Sequence, residues 1–552
     1  MLFCFILFCS TESNGLVLDK KQLETKIDTL IPTEINDTTP GLAIGIVQNG
    51  KLIFSKGYGL ANISYAIPND SKMVYNIGSV SKQFLGYAFA MLHERGVLNI
   101  DDSVGKYLDN WPEFKYKVTL RHLLSHTSGY REAYTLSILA GRVIGVDRLS
   151  RKECLDVVRN QPQLEYIPGS RHIYNSTSWV ILAEILENIT GQPADKWVEA
   201  NILKPLKMDD TQIESFIGEV IINAAESYSN NEGQGYVNKK SNRAIFGASD
   251  VYSSIEDMVK WINNFKTAGI GGKKVQDLFL KPFILNDGSN SEYALGIVNN
   301  FYRGLKHYSH TGSHEAFLTQ LSYFPEQDLG IIILSNFGTK GWLASSKIAD
   351  LLLEDNITEP SDKALQRFEI KKEKLLQFAG LYLSSDFNRT LNLRFREDIL
   401  RIGWRTKLIP VSSNTFRIKG NSNDKFEIKT TANNKTQLTI INGARRTQYF
   451  KTEDWNPKKT ELTNYVGDYW SDELETVYHL LMQDNNLIIK HRWLGEVSLV
   501  PITKDVFKTY WGFFVKFNRD KDDKISSLSA YSGGTIDNFG SSLNIVFHRK
   551  AK

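Results

Sequence analysis

The clearest chemical pattern in the chain is a serine followed three residues later by a lysine, Ser79 and Lys82 in Gly78-Ser79-Val80-Ser81-Lys82. An extended stretch, 75–78, runs there into a helical pattern over 80–94. Positions i and i+3 of a helix share one face, so the Lys82 amine is expected to reach the Ser79 hydroxyl and help remove its proton. The helix N-terminus favours the negative charge that would develop nearby. The same residues also read as a serine N-cap with an exposed lysine, so the pattern does not stand alone. A second element, Tyr174-Asn175-Ser176, follows Pro168-Gly169 and precedes a helical pattern at 177–188. A tyrosine there could relay a proton, or it could pack as a staple on the helix start. A third, His310-Thr311-Gly312-Ser313, is expected at a turn ahead of two strands. Gly312 would admit a close backbone approach, and Ser313 could aim its N–H at an oxyanion. Ser125, His126 and Ser128 form another Ser/His set, which reads as a structural helix end turning at Gly129.

Positioning these residues takes an α+β framework. Asn49-Gly50 is a hairpin signal between two β-rich stretches within 41–55, and strands return at 317–324 and 330–334. Between them lie helical patterns at 80–94, 120–125, 177–188 and 255–265. Strand pairs at both ends of a helical middle imply one antiparallel sheet closed by distant segments and flanked by helices, over about residues 15–360. Beyond it the texture becomes short alternating strands. Phe378-Ala-Gly380-Leu-Tyr382 recurs as Tyr465-Val-Gly467-Asp-Tyr469, and Leu408-Ile-Pro410 with Phe416 recurs as Leu499-Val-Pro501 with Phe507, at offsets of 87 and 91 residues. A near-constant offset marks an internal repeat. Two small antiparallel β-barrels are therefore expected, over 365–455 and 458–552, with one larger sandwich as the alternative.

At 552 residues the chain needs several folding units, and 41% hydrophobic with 23% charged residues is a globular composition. The net charge of +4 is spread along the chain without a basic stripe, so nucleic acid is not an expected partner. Residues 1–14 begin with an apolar stretch and read as an export signal, which places the protein in the periplasm or outside the cell. Cys9-Ser10 leaves a membrane anchor open at that end only. Cys154 is alone in the body, so no internal disulfide framework can form. The ten histidines show no paired ligand spacing, and neither a metal nor a cofactor is expected.

In order, IGSVSK, LLSHTSG, the tyrosine after Pro-Gly, GASDVYSSIEDMVKW and HTG resemble the superfamily of class C β-lactamases and serine peptidases, with its DD-peptidases, D-aminopeptidases and family VIII esterases. The resemblance covers about residues 40–340. It implies an acyl-enzyme mechanism in which Ser79 attacks a carbonyl and Lys82 and Tyr174 share the base and acid work. The N–H groups of Ser79 and Ser313 would form the oxyanion hole, with Ser176, Thr311 and Gly312 lining the substrate site. It also implies that His310 polarises the tyrosine or meets a substrate carboxylate. Ser176 stands where many relatives carry asparagine, and a hydroxyl offers fewer hydrogen bonds, which favours a small peptide of D-amino acids, cell-wall peptide included, or an ester over a β-lactam. The repeats resemble lipocalin-like barrels, in a plan similar to that of D-aminopeptidases, where a barrel loop restricts the site. The barrels are expected to be separable from the acylation chemistry but not from substrate choice. The competing reading is a catalytically inactive penicillin-binding-like scaffold or ligand-binding protein, against which stands the joint presence of Ser79, Lys82 and Tyr174.

Overall fold

The structure is a computed structural model that describes residues 19–550, apart from 232, 358–366, 405, 419–420, 432, 434, 443–444, 510–511 and 534–541. The expected export segment 1–14 and the boundary near 360–365 lie outside the described residues. The apolar run at 42–47 is continuous rather than alternating, as a strand covered on both faces requires. It forms β1 (Leu42–Gln48), which pairs with β2 (Lys51–Tyr58) through Asn49 and Gly50 at φ of 52° and 75°, the positive values a two-residue hairpin turn needs. The rest of the sheet comes from about 250 residues later in the chain: β3 (Val298–Tyr302), β4 (Leu305–His314), β5 (Phe317–Phe324) and β6 (Leu329–Ser335). The strand order is β3-β4-β5-β6-β1-β2, antiparallel throughout, with Leu42 opposite Ser335 and Gln48 opposite Leu329 at the closing seam.

Helices cover both faces. Leu42, Ile44, Ile46, Ile331 and Ile333 share one apolar core with α1 (Lys20–Asp28). Ala43, Val47, Ile332 and Leu334 point the other way, into a larger core built with α2 (Lys82–Glu94), α3 (Thr177–Thr190) and α4 (Ile255–Thr267). Helix α5 (Ser345–Leu352) closes the first face with Ile348 and Leu352. The period-two alternation of a strand thus feeds two hydrophobic layers.

The structure moves one element. His310–Ser313 lies inside β4, in a ten-residue strand, rather than at a turn. LKHYSHTGSH is mostly polar, so no apolar alternation announces it; neighbouring strands supply its partners. β3 pairs only with its first half, from Leu305 to Ser309, so His310–His314 runs on past the edge of β3 with β5 on its other side.

The C-terminal half forms two closed barrels of eight antiparallel strands each, the first from Gly380–Ser384 to Arg445–Lys451 and the second from Gly467–Ser471 to Ile545–Arg549. The repeat has a physical meaning. Gly380 and Gly467 open their strands at φ of 143° and 152°, a backbone suited to glycine. Two residues on, the Tyr382 hydroxyl donates to the Phe378 carbonyl at 2.8 Å and the Tyr469 hydroxyl to the Tyr465 carbonyl at 3.0 Å, both buried. Pro410 stands opposite Phe416, and Pro501 opposite Phe507, in equivalent strand pairs. Tyr469→Phe keeps the ring and leaves a buried carbonyl without that donor, which should cost the second barrel about 1–2 kcal/mol. Urea unfolding followed by tryptophan fluorescence should show a lowered midpoint, with the equivalent loss in the first barrel for Tyr382→Phe.

Candidate active site

Gly78–Ser81 forms a single 3-10 turn that leads into α2, so Ser79 stands at the helix start with Lys82 in the first helical turn. Ser79 is 7% exposed and Lys82 has no exposed surface. The Lys82 Nζ donates to Ser79 Oγ at 3.0 Å and to the Ala248 carbonyl at 2.6 Å. Both residue types and spacing therefore yield the contact that the sequence suggested. The Ala248 carbonyl is fixed by its own loop. Asp250 holds a φ of 77°, and its carboxylate accepts the Ile245 N–H at 2.7 Å and the Ser249 hydroxyl at 2.8 Å. Ser81 Oγ accepts the Val251 N–H, and the Val251 carbonyl accepts the Ile77 N–H, so the loop is tied to the Ser79 turn at two points.

Burial pushes the Lys82 pKa down to about 7, against the opposing fields of Glu132 and Asp250. Burial raises Glu132 to about 7, partly offset by the Ser176 and Tyr134 N–H groups and by Lys82. Asp250 is likewise raised by burial, to about 6. Sequence reasoning missed both carboxylates. Asp250 sits in a quoted motif with no role read into it, and Glu132 carries no motif at all, since only folding sets it beside Ser176 and within the field of Lys82.

Tyr174 is buried, with its ring centroid 5.1 Å from Lys82 Nζ. The His126 ring lies 4.0 Å from that of Tyr174, and His126 Nδ1 accepts the Asn175 N–H at 2.9 Å. Burial, with His172, Lys82 and His310 nearby, holds the His126 pKa well below its usual value, so a neutral imidazole backs the tyrosine. Ser125 Oγ donates to the Arg121 carbonyl, and Ser128 Oγ pairs with Ser178 Oγ. The Ser176 N–H donates to Glu132 Oε2 at 2.5 Å.

The edge of β4 that β3 leaves unpaired presses on the Gly78–Ser81 turn. A Cβ on Gly78 would stand 2.5 Å from Ser313 N, and one on Gly312 would overlap the Ile77 carbonyl oxygen and lie 3.3 Å from Ser79 N. The N–H groups of Ser79 and Ser313 thus belong to two backbones in contact. Thr311 and Ser313 are half-buried, and Gly312 and His310 are buried between and beside them. His310 Nε2 lies 2.8 Å from the Tyr293 hydroxyl and Nδ1 lies 2.6 Å from the Thr311 carbonyl. Tyr293 was not singled out from sequence; its ring packs on His126, His172, Tyr174 and His310. Among the described residues no cluster of three or more His, Cys, Asp or Glu could hold a metal ion.

A family model described as Beta-lactamase matches residues 27–353. PbpX of Bacillus subtilis (strain 168), named as a penicillin-binding protein, is 28% identical over 322 residues, which cover 56% of this chain and 74% of PbpX. A protein of Escherichia coli O157:H7 named as a D-alanyl-D-alanine carboxypeptidase is 28% identical over 203 residues, covering 34% of this chain and 46% of its own length. Among solved structures, the octameric penicillin-binding protein homologue from Pyrococcus abyssi superposes with a TM-score of 0.54 at 23% identity, covering 78% of this chain and 100% of that one. At that identity the likeness is one of fold.

Gly312→Ala must separate β4 from the Ser79 turn, because the new methyl group meets backbone atoms that cannot rotate away. The rate constant for labelling Ser79 with a fluorophosphonate should fall by about 10²-fold or more, as when one oxyanion donor is withdrawn. The side chain at Thr311, one residue earlier, is half-buried, and Thr311→Ser should stay within a few-fold of the parent.

Proposed function

The chain belongs to the beta-lactamase family over residues 27–353, and on that premise we propose that it is a serine hydrolase working through an acyl-enzyme on Ser79, with peptides of D-amino acids or esters as substrates. The observation that carries this reading is the buried Lys82 amine, 3.0 Å from Ser79 Oγ and beneath the Tyr174 ring. Ser79 Oγ attacks the substrate carbonyl carbon and gives its proton to Lys82, neutral above its lowered pKa. The proton passes by way of Tyr174 to the leaving amine or alcohol, and water then cleaves the Ser79 ester. The Ser79 and Ser313 N–H groups receive the oxyanion, which the contact between their two backbones supports.

Residue 176 bears on substrate choice. Its hydroxyl reaches less far than an amide, and the Asn175 amide beside it is already committed to the Tyr130 and Arg131 carbonyls. No side-chain amide of this loop is left to grip the amide of a β-lactam, which favours peptide and ester substrates. His310 is buried and its Nε2 is engaged with the Tyr293 hydroxyl rather than with Tyr174, which weighs against contact with a substrate carboxylate and leaves it to act on Tyr174 through the Tyr293 ring. Among the described residues no helix is long and apolar enough to cross a membrane. On the reading of residues 1–14 as an export signal, the protein acts outside the cytoplasm.

Mass spectrometry after exposure to a fluorophosphonate or an activated ester should give one adduct on the peptide containing Ser79. Ser79→Ala should lose it, whereas Ser125→Ala and Ser128→Ala, which remove hydroxyls committed to structure, should keep most turnover. An adduct on the Ser125 peptide would overturn the assignment. Because the amine acts in its neutral form, the acylation rate should rise as pH increases through about 7, the value to which burial lowers Lys82. A rate still climbing only above pH 9 would show that Lys82 is not the base.

A further inference from the structure

The segment from Tyr130 to Leu139 is bonded along both of its sides, to the tyrosine loop on one and to the second barrel on the other. Toward the tyrosine loop, Asn175 Nδ2 donates to the Tyr130 and Arg131 carbonyls at 2.9 and 3.0 Å. The Ser176 N–H donates to Glu132 Oε2 at 2.5 Å, and the Ala133 N–H to Thr177 Oγ1 at 2.7 Å. Toward the barrel, Arg131 grips Glu473 with two hydrogen bonds, of 2.6 and 3.0 Å. Its remaining nitrogen donates to Glu165 at 2.9 Å and to the Leu543 carbonyl at 2.5 Å. The cluster is dry, with the Arg131, Glu165 and Glu473 side chains 4%, 1% and 8% exposed. The Tyr478 hydroxyl donates to the Leu139 carbonyl at 2.6 Å, and Leu136 and Leu139 enter the barrel's own apolar core. By contrast, the ion pair of the first barrel with the catalytic domain, Arg171–Asp386, is largely exposed.

We propose that the second barrel sets the geometry of the acylation site, with Glu473 holding Arg131 and Arg131, through its neighbour Glu132, acting as a positioning residue for Ser176 and Tyr174. This rests on the reading of Ser79 as an acylated nucleophile, and it runs against the expectation that the barrels are separable from that chemistry. The argument is one of charge and chain connectivity. A buried guanidinium that serves two carboxylates loses half its compensation when Glu473 is neutralised, and an under-compensated buried charge drives local rearrangement. Arg131 cannot move alone: its carbonyl holds Asn175, and the next residue holds the Ser176 N–H and acts on Lys82 by its charge. Glu165 depends on the same arginine: burial raises its pKa to about 7 even with Arg131 opposing that rise by charge and hydrogen bond.

The test uses the full chain, a p-nitrophenyl ester as probe, and three readouts: the burst rate of Ser79 acylation at saturating ester, its pH profile from 5 to 9, and Tm. Glu473→Gln should slow acylation at least tenfold below its Tm with a smaller change in KM. It should also move the ascending pH limb to lower pH, because a displaced Glu132 no longer raises the Lys82 pKa. Asp386→Asn, which weakens the exposed contact of the first barrel, should stay within twofold. A folded Glu473→Gln protein with parental rate and midpoint would overturn the coupling and reduce Glu473 to a tether seen only in Tm; an equal loss in Asp386→Asn would overturn it as general destabilisation. If Glu473→Gln does not fold, Arg131→Lys, which keeps the charge but loses the two-pronged grip, is measured in the same way. Failure of the parent chain to form a Ser79 adduct would instead refute the proposed function.

Discussion

The Lys82 side chain has no exposed surface, and its amine is held by Ser79 Oγ and the Ala248 carbonyl at 3.0 and 2.6 Å. Burying an ammonium costs several kcal/mol unless it is paired, and a lowered pKa is the chemical expression of that cost. Every segment at the site answers to this one group. The 247–251 loop presents a carbonyl, Asp250 and Glu132 supply opposing charge, and the Tyr174 ring closes the top. A lysine so placed can be neutral near pH 7 and charged a moment later, which a proton carrier needs.

Holding such a group demands that distant parts of the chain meet without slack. β1 closes on β6 across nearly 300 residues, and β4 reaches past β3 to lie on the Ser79 turn. Two glycines, Gly78 and Gly312, permit that approach, since a methyl group at either would intrude on the backbone opposite. The rigidity of the sheet is thereby transmitted to the Ser79 and Ser313 N–H groups, which lie on those two backbones.

The barrels repeat one solution twice. A glycine that starts a strand, a tyrosine bonding back four residues, and a proline opposite a phenylalanine recur because each closed sheet needs the same corner. The two barrels meet the first domain differently: the second brings Glu473 and Leu543 to a buried Arg131, whereas Asp386 of the first pairs with a largely exposed Arg171.

What the sequence determined by itself is what depends on neighbours in the chain. The Asn49-Gly50 hairpin, the starts of α2 and α3, the reach from Lys82 to Ser79, and the two-barrel repeat all follow from short spacings, turn chemistry and internal periodicity. The polar strand β4 was not legible, since LKHYSHTGSH has no apolar alternation and becomes a strand because β5 and β3 offer it hydrogen bonds. Neither were Glu132 and Asp250 as the counter-charges of Lys82, nor Tyr293 as the partner of His310, nor Glu473 as the hold on Arg131. Those pairings join residues tens to hundreds of positions apart, and their strength comes from exclusion of water. Burial of that kind belongs to no residue or motif; it exists only once the sheet, the helices and the second barrel have closed around the site.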